Sequence, residues 1–449
     1  MATPDRPHRN RAASLVRIAI PCRTWIAGIA LPLLLFTACG DAAPGNGDVQ
    51  AFVNAVLVDG SGGPAVESGV VLVREGRIEA AGSEDQVRVP SGARVVDLDG
   101  RWLLPGFINS HGHVGGVRGL ESGPHLYTRS NILEQLGRYA RYGVTTVVSL
   151  GGDGEEGIRI RDEQATPDLF RARLFVAGPV ISPDTPEQAR EDVAALAELG
   201  VDWVKIRVDD QLGQGTKMPR EVYAQVIRSA HEHGLPLAAH LVYLEDAHGL
   251  MEAGADLLAH SVRDEHVDDR LIEMMKERGV CLSPTLTREL SVYVYGDRPD
   301  FFDDPFFLAE ADPDVLEALE DPERQARVRE SAAAQWYRDA LPTAKENVRL
   351  LHERGVGIAM GTDSGPPARF QGYFEHVEME MMEAAGLTPA QVIHSATGQA
   401  ARCMGLEGEV GTLEPGAWAD LVALDGDPLE DIRNTRRIHG VWIAGNRIR

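Results

Sequence analysis

Two histidines separated by one glycine, His111-Gly112-His113, close an apolar run that begins at Leu104. Alternate residues of an extended strand point to one face, so both imidazoles can meet the same ion. Single histidines end two further apolar runs, Leu237-Ala-Ala-His240 and Asp256-Leu-Leu-Ala-His260. An aspartate ends another, in Gly361-Thr-Asp-Ser-Gly365. Lys205 stands inside Asp202-Trp-Val-Lys-Ile206, where a buried ammonium must be paired, neutralised or chemically changed. Donors of these types suit a divalent metal, zinc first, with manganese or iron also compatible. Taken singly, each has a plainer account: a core histidine, an aspartate capping a turn, a lysine reaching back to solvent. Their shared position at strand ends is what makes them one site.

The elements that must gather these residues are readable from the apolar periodicity. One strand ends at His111–His113, and others are expected at 144–150, 174–177, 203–208, 237–241, 256–259, 280–283 and 356–360. Helical patterns separate most of them, for example at 186–199, 219–233, 246–253 and 268–278. Strands alternating with helices predict an α/β chain with a parallel sheet, and eight units predict a distorted TIM (β/α)8 barrel over 105–409. In such a barrel the C-terminal strand ends form the active-site face, where the residues above all fall. Short strands at 51–57, 70–74, 94–98, 419–424 and 437–443 predict a small β-sandwich built from both chain ends, residues 49–104 and 410–449. Residues 293–323, rich in Asp, Phe and Pro, break the rhythm and are expected as a lid over the barrel mouth.

Of 449 residues, 43% are hydrophobic, which excludes wholesale disorder. A net charge of −24 opposes an electrostatic grip on nucleic acid or anionic headgroups. The 4 cysteines are widely spaced, so neither a disulfide framework nor a cysteine–zinc module is expected. No GxSxG elbow and no Walker-type loop support a serine hydrolase or an NTPase. Arginines 6, 9, 11, 17 and 23 precede the apolar run 25–36, so residues 1–38 read as a signal peptide, too short to span a bilayer. Cys39, after Thr37-Ala38, resembles the lipidated cysteine of a bacterial lipoprotein, with 39–48 as linker. The expectation is an exported protein of the cell envelope, held to a membrane by a lipid anchor.

Several ordered phrases carry a family resemblance: Leu104-Pro-Gly-Phe-Ile-Asn-Ser-His-Gly-His113, Asp202-Trp-Val-Lys-Ile206, Ala239-His240, Ala259-His260 and Gly361-Thr-Asp-Ser364. Ser395-Ala-Thr397 and Gly411-Thr-Leu-Glu-Pro-Gly-Ala-Trp-Ala-Asp-Leu421 follow in the same order. Together they resemble the metal-dependent amidohydrolase superfamily, in its imidazolonepropionase-like and prolidase-like branch, over Val49 to Arg449. The resemblance implies two metal ions, one held by His111, His113 and Asp363, the other by His240 and His260. It implies that Lys205, carboxylated by CO2, bridges them as a carbamate. It also implies hydrolysis of a C–N bond in a small amide, cyclic amide or dipeptide-like substrate by a metal-bridging hydroxide, with Asp363 as general base and then general acid.

An Xaa-Pro-type dipeptidase is the alternative within enzymes, and a non-catalytic surface binding lipoprotein on the same fold is the alternative outside them. Candidate substrate groups are Arg207, Tyr243 and Arg263. Arg207 shares the Lys205 face and either clamps a carboxylate or pairs with Asp209 or Asp210. Val242 stands where many relatives carry His or Tyr, and Asn109 where an Asp often precedes the first metal histidine. His231, His233 and His376 read as helix capping and packing.

Overall fold

A computed structural model describes residues 49–449; the expected signal peptide, Cys39 and the linker lie outside the described residues. Five strands open the chain: β1 (Val49–Leu57), β2 (Val66–Arg74), β3 (Arg77–Ser83), β4 (Arg94–Asp97) and β5 (Trp102–Pro105). β1 pairs antiparallel with β2, and β2 with β3, while β4 and β5 lie in succession along the other edge of β1.

The middle of the chain supplies β6 (Phe107–Gly112), β7 (Val144–Ser149) and β8 (Arg173–Val176), a parallel three-stranded sheet. A parallel four-stranded sheet follows: β9 (Val204–Arg207), β10 (Leu237–His240), β11 (Leu257–Ala259) and β12 (Cys281–Ser283). Nearly every residue of these strands is buried, which is why they read as continuous apolar runs rather than alternating ones. The helix Pro186–Leu199 falls where the periodicity places it. Thr185 accepts from the Gln188 N–H at its start, and Gly200, at φ +82°, ends it in the left-handed conformation.

The eighth expected strand, 356–360, forms no ladder. It runs extended between β12 and β6: the Leu282 N–H donates to Gly357, Ala359 to Leu282, and Ser110 to Met360. Glycine at 361 permits this approach, since a Cβ there would lie 2.2 Å from Ser283 Oγ. Single parallel bridges, Leu282–Ile358, Gly112–Ser364 and Ile181–Ile206, link the two sheets in barrel order. The arrangement is TIM-barrel-like, with no continuous ladder closing it among the described residues.

β13 (Leu421–Leu424), β14 (Ile438–Ile443) and β15 (Asn446–Arg447) return to the chain's beginning. β13 pairs antiparallel with β5, Leu421 opposite Pro105, and completes an eight-stranded mixed sheet. The pairing yields one sheet in place of the two facing sheets of a sandwich. Both its faces are covered: Phe52, Leu103 and Trp442 pack on one, Val49, Ala51 and Leu72 on the other. Arg173 on β8 meets Asp420 through two contacts of 2.6 and 3.2 Å, with both side chains 2% exposed. Trp418 lies between Arg173 and Arg77, at 4.2 and 4.0 Å from their guanidinium carbons. This clamp joins the end-built sheet to the barrel.

Two expectations are corrected here. The 293–323 segment expected as a lid is packed rather than free: a turn at Asp300–Asp303 and short helices capped by Asp304 and Asp312 bury Phe302, Phe307 and Leu319 against Tyr142, Tyr373 and Phe374. Aromatic burial fastens the segment against Phe370 and Ala368, on the loop that follows Asp363. Cys281 and Cys403, 122 residues apart, form a disulfide from β12 to the helix Gly398–Met404. Neither cysteine stands in a motif, so only the fold reveals the pair.

Candidate metal centre

β6 delivers His111 into the interior, 1% exposed, and His113 just beyond it. His113 Nδ1 donates to the Gly151 carbonyl at 2.8 Å, so its Nε2 carries the lone pair. That nitrogen lies 2.8 Å from Asp363 Oδ1. Two acceptors at this separation require a proton or a metal ion between them. His111 Nε2 is 3.9 Å from the same oxygen and 3.2 Å from Lys205 Nζ. His111 Nδ1 is buried with no hydrogen-bond partner among the described residues. Potential ligand atoms of His111, His113 and Asp363 all lie within 4.8 Å of one another.

The neighbouring strands complete the rim. The His260 ring lies 4.8 Å from that of His111 and 4.3 Å from that of His240, centroid to centroid. His240 Nε2 donates to Asp209 Oδ2 at 3.0 Å, and His260 Nδ1 is hydrogen-bonded to Thr285 Oγ1 at 2.6 Å. Each partner fixes a ring and leaves the opposite nitrogen for an ion. His260 has φ +107° and Asp363 φ +57°. Conformations of this kind cost about 1–3 kcal/mol and persist where the surroundings impose them, typically at functional sites.

A buried carboxyl holds the two sides of the site together. Glu375, on helix α1 (Tyr373–Ala384), accepts from Asn109 Nδ2, Thr362 Oγ1 and Ser364 Oγ at 2.6, 2.7 and 2.6 Å. Asn109 Oδ1 in turn takes the His111 N–H at 3.0 Å. Asn109 thus works as a strut in the expected acidic position, and the Glu375 contacts tie β6 to the turn carrying Asp363.

Burial dominates the electrostatics. It draws the Lys205 ammonium down to about 7 and His240 down to about 3, and it holds His111 and His260 well below the imidazole range. Burial would raise the Asp363 carboxyl, but Arg369, 2.6 Å from Oδ2, and His113 hold it well below the carboxylate range. Neutral imidazoles and an ionised carboxylate are the states in which these groups ligate metals. His111 Nε2, turned toward Asp363 Oδ1, and the close His113–Asp363 pair fit a divalent cation.

The amidohydrolase family model matches residues 102–448. The chain belongs to the amidohydrolase family. Over 422 residues it is 25% identical to the imidazolonepropionase of Mesorhizobium japonicum, covering 83% of this chain and 90% of that enzyme. It is 24% identical over 426 residues to a 5-methylthioadenosine/S-adenosylhomocysteine deaminase of Symbiobacterium thermophilum, covering 80% and 81%. Among solved structures, a candidate prolidase from Bifidobacterium longum is 25% identical with a TM-score of 0.71, covering 89% of this chain and 94% of that one. This amidohydrolase is an enzyme of the class that acts on carbon–nitrogen bonds.

All the metal-site positions expected from the sequence meet at this rim: His111, His113, Lys205, His240, His260 and Asp363. The expected substrate groups of the amidohydrolase are placed differently. Arg207 pairs with Asp209 at 2.7 Å. Tyr243 donates to Asp210 at 2.8 Å under the Lys217 ammonium. Arg263 is fully enclosed, donating to the Leu241 and Ser261 carbonyls and facing Glu289. Residues not anticipated include Thr285, Glu375 and Arg369. Asp209 was legible in part, since it continues the alternate-residue face of Lys205 and Arg207.

Proposed function

We propose that this amidohydrolase is an exported, lipid-anchored hydrolase that cleaves the C–N bond of a small amide, cyclic amide or dipeptide-like substrate. The observation that carries the reading is a buried lysine amine 3.2 Å from a histidine within one histidine–aspartate rim. The proposed assignment gives His111, His113 and Asp363 to one divalent ion and His240 and His260 to a second, with zinc favoured over manganese or iron. Lys205 is proposed to react with CO2, losing a proton and becoming a carbamate that bridges the pair. Such ions, when bound, acidify water and polarise a carbonyl.

The chain's own residues supply the rest. His113 and His240 are oriented by the Gly151 carbonyl and Asp209. Asp363 accepts a proton during attack and delivers it to the leaving nitrogen; beside Arg369 it holds that proton only briefly. The barrel domain is assigned to 105–409 and the end-built β domain to 49–104 and 410–449. The Cys281–Cys403 disulfide supports export, because such bonds persist in oxidising compartments. Attachment through Cys39 is tested by lipid labelling of wild type and Cys39→Ser.

The central test is metal analysis of wild type and Lys205→Ala in bicarbonate. Two equivalents in the wild type and a loss in the variant support the bridged site. One equivalent, indifferent to the substitution, makes Lys205 structural. The candidate prolidase relative favours a second reading, a dipeptidase, which needs a group for a free carboxylate.

A further inference from the structure

Three arginines surround the rim, and they outnumber the carboxylates available to them. The helix Leu286–Tyr293 begins one residue after Thr285, the partner of His260, and carries Arg288 and Glu289. Glu289, 1% exposed at its side chain, serves both Arg288, through Nη1 at 2.8 Å, and Arg263, at 3.2 Å. Arg263 Nη2 is buried without a hydrogen-bond partner among the described residues. Arg369, on the loop after Asp363, rests its Nη1 on that carboxylate and donates from Nε to Ser291 Oγ at 3.1 Å. Ser291 in turn donates to the Arg288 carbonyl at 2.6 Å.

Accessibility separates the arginines. Arg263 has no exposed side-chain surface, whereas Arg288 and Arg369 retain 11% and 19%. Arg207, outside this set, is matched by Asp209.

We propose that Arg288 and Arg369 form a carboxylate-recognising subsite at this metal centre, so that the substrate is an acid: an N-acyl amino acid or a dipeptide with a free carboxylate. The inference rests on the hydrolase reading above and narrows its substrate class. Guanidinium donors suit a carboxylate in geometry as well as in charge. Glu289, shared with Arg263, holds Arg288 in place.

The test uses a matched pair, N-acetyl-L-leucine and N-acetyl-L-leucinamide, which differ in the free carboxylate. Binding by calorimetry and hydrolysis are measured on the metal-loaded protein, wild type, Arg288→Met and Arg288→Lys, with metal content and Tm recorded for each. The expected result is at least tenfold tighter binding and lower KM for the acid in the wild type. Arg288→Met brings the acid-to-amide ratio of affinity and of KM close to one, and Arg288→Lys restores part of the preference. Equal handling of acid and amide by the wild type, equal loss of both in Arg288→Met, or no binding of either ligand overturns the subsite. Hydrolysis of the amide without acid preference overturns the subsite alone and leaves the hydrolase reading intact. Selective binding of the acid without turnover supports the subsite and counts against the hydrolase reading.

Discussion

Two clusters of buried charge in this protein stand in different conditions. At the junction of sheet and barrel, Arg173 and Asp420 satisfy each other through two contacts, Arg173 also donates to the Gln164 carbonyl, and Asp420 accepts from the Ala444 N–H. At the metal rim, His111 Nδ1, Arg263 Nη2 and Glu289 Oε1 are buried without hydrogen-bond partners, and Asp363 faces both His113 and Arg369. The first arrangement is closed and resists unfolding. The second keeps partner requirements open, which is what a site for ions and an anionic ligand needs. Substitutions should therefore separate the two regions, one reading out in stability and the other in metal and turnover.

The largest effect is expected for Lys205→Ala. Loss of a bridging ligand should remove at least one ion and lower kcat/KM by about a thousandfold or more, several kcal/mol of transition-state stabilisation. Its metal-free Tm should not fall, because the native amine is buried against an imidazole rather than a carboxylate. Asp420→Ala should do the opposite. Stranding Arg173 in the interior costs about 3–5 kcal/mol, read as a lower urea midpoint, while metal content and kcat of the folded fraction stay unchanged. Asp209→Asn should be milder and local. Weakening the partner of a metal histidine costs about 10–100-fold in metal affinity. Chelator competition should show this for the ion assigned to His240 and His260, and not for the one assigned to His113 and Asp363. Equal weakening of both would merge the two half-sites into one.

The rim was more legible in the sequence than the junction because its residues obey strand periodicity. His111 and His113 alternate correctly, and His240 and His260 end apolar runs that could hardly be anything but buried strands. Lys205 betrayed itself by interrupting one. The junction depends on Arg173 and Asp420, far apart in the chain, and nothing local marks either. The same holds for Cys281 and Cys403. Arg288 and Arg369 sit on a helix and a loop, where no simple period says which way a side chain faces. The eighth strand was legible as extended chain but not as one held by single bridges, since the close approach that Gly361 permits depends on Ser283, far away in the chain. Residues 293–323 read as a lid because their composition breaks the strand–helix rhythm before the eighth strand. Their phenylalanines instead pack them against Tyr142, Tyr373 and Phe374.

The smallest expected effect tests the comparison through pH. His376 is buried at the junction side, bonded to Thr435 Oγ1 and the Tyr142 carbonyl and packed edge-on against Phe107 and Phe306. Burial pushes it down to about 3. In the unfolded chain it titrates near 6.5, so the unfolded state binds the extra proton first as pH falls. Its contribution to stability is therefore complete above about pH 6.5 and is lost as pH drops toward 3, at up to about 1.4 kcal/mol per pH unit. His111, His240 and His260 shift in the same direction, with the same sign. They differ in one respect: an ion binds their neutral forms, so metal should steepen the acid dependence contributed by the rim and leave that of His376 alone. Urea midpoints between pH 7 and 4.5, with zinc and with chelator, separate the two. His376→Asn should remove the same increment of slope under both conditions. If that increment depended on zinc, the junction and the rim would be one coupled unit, and the division between closed and open buried charge would not hold.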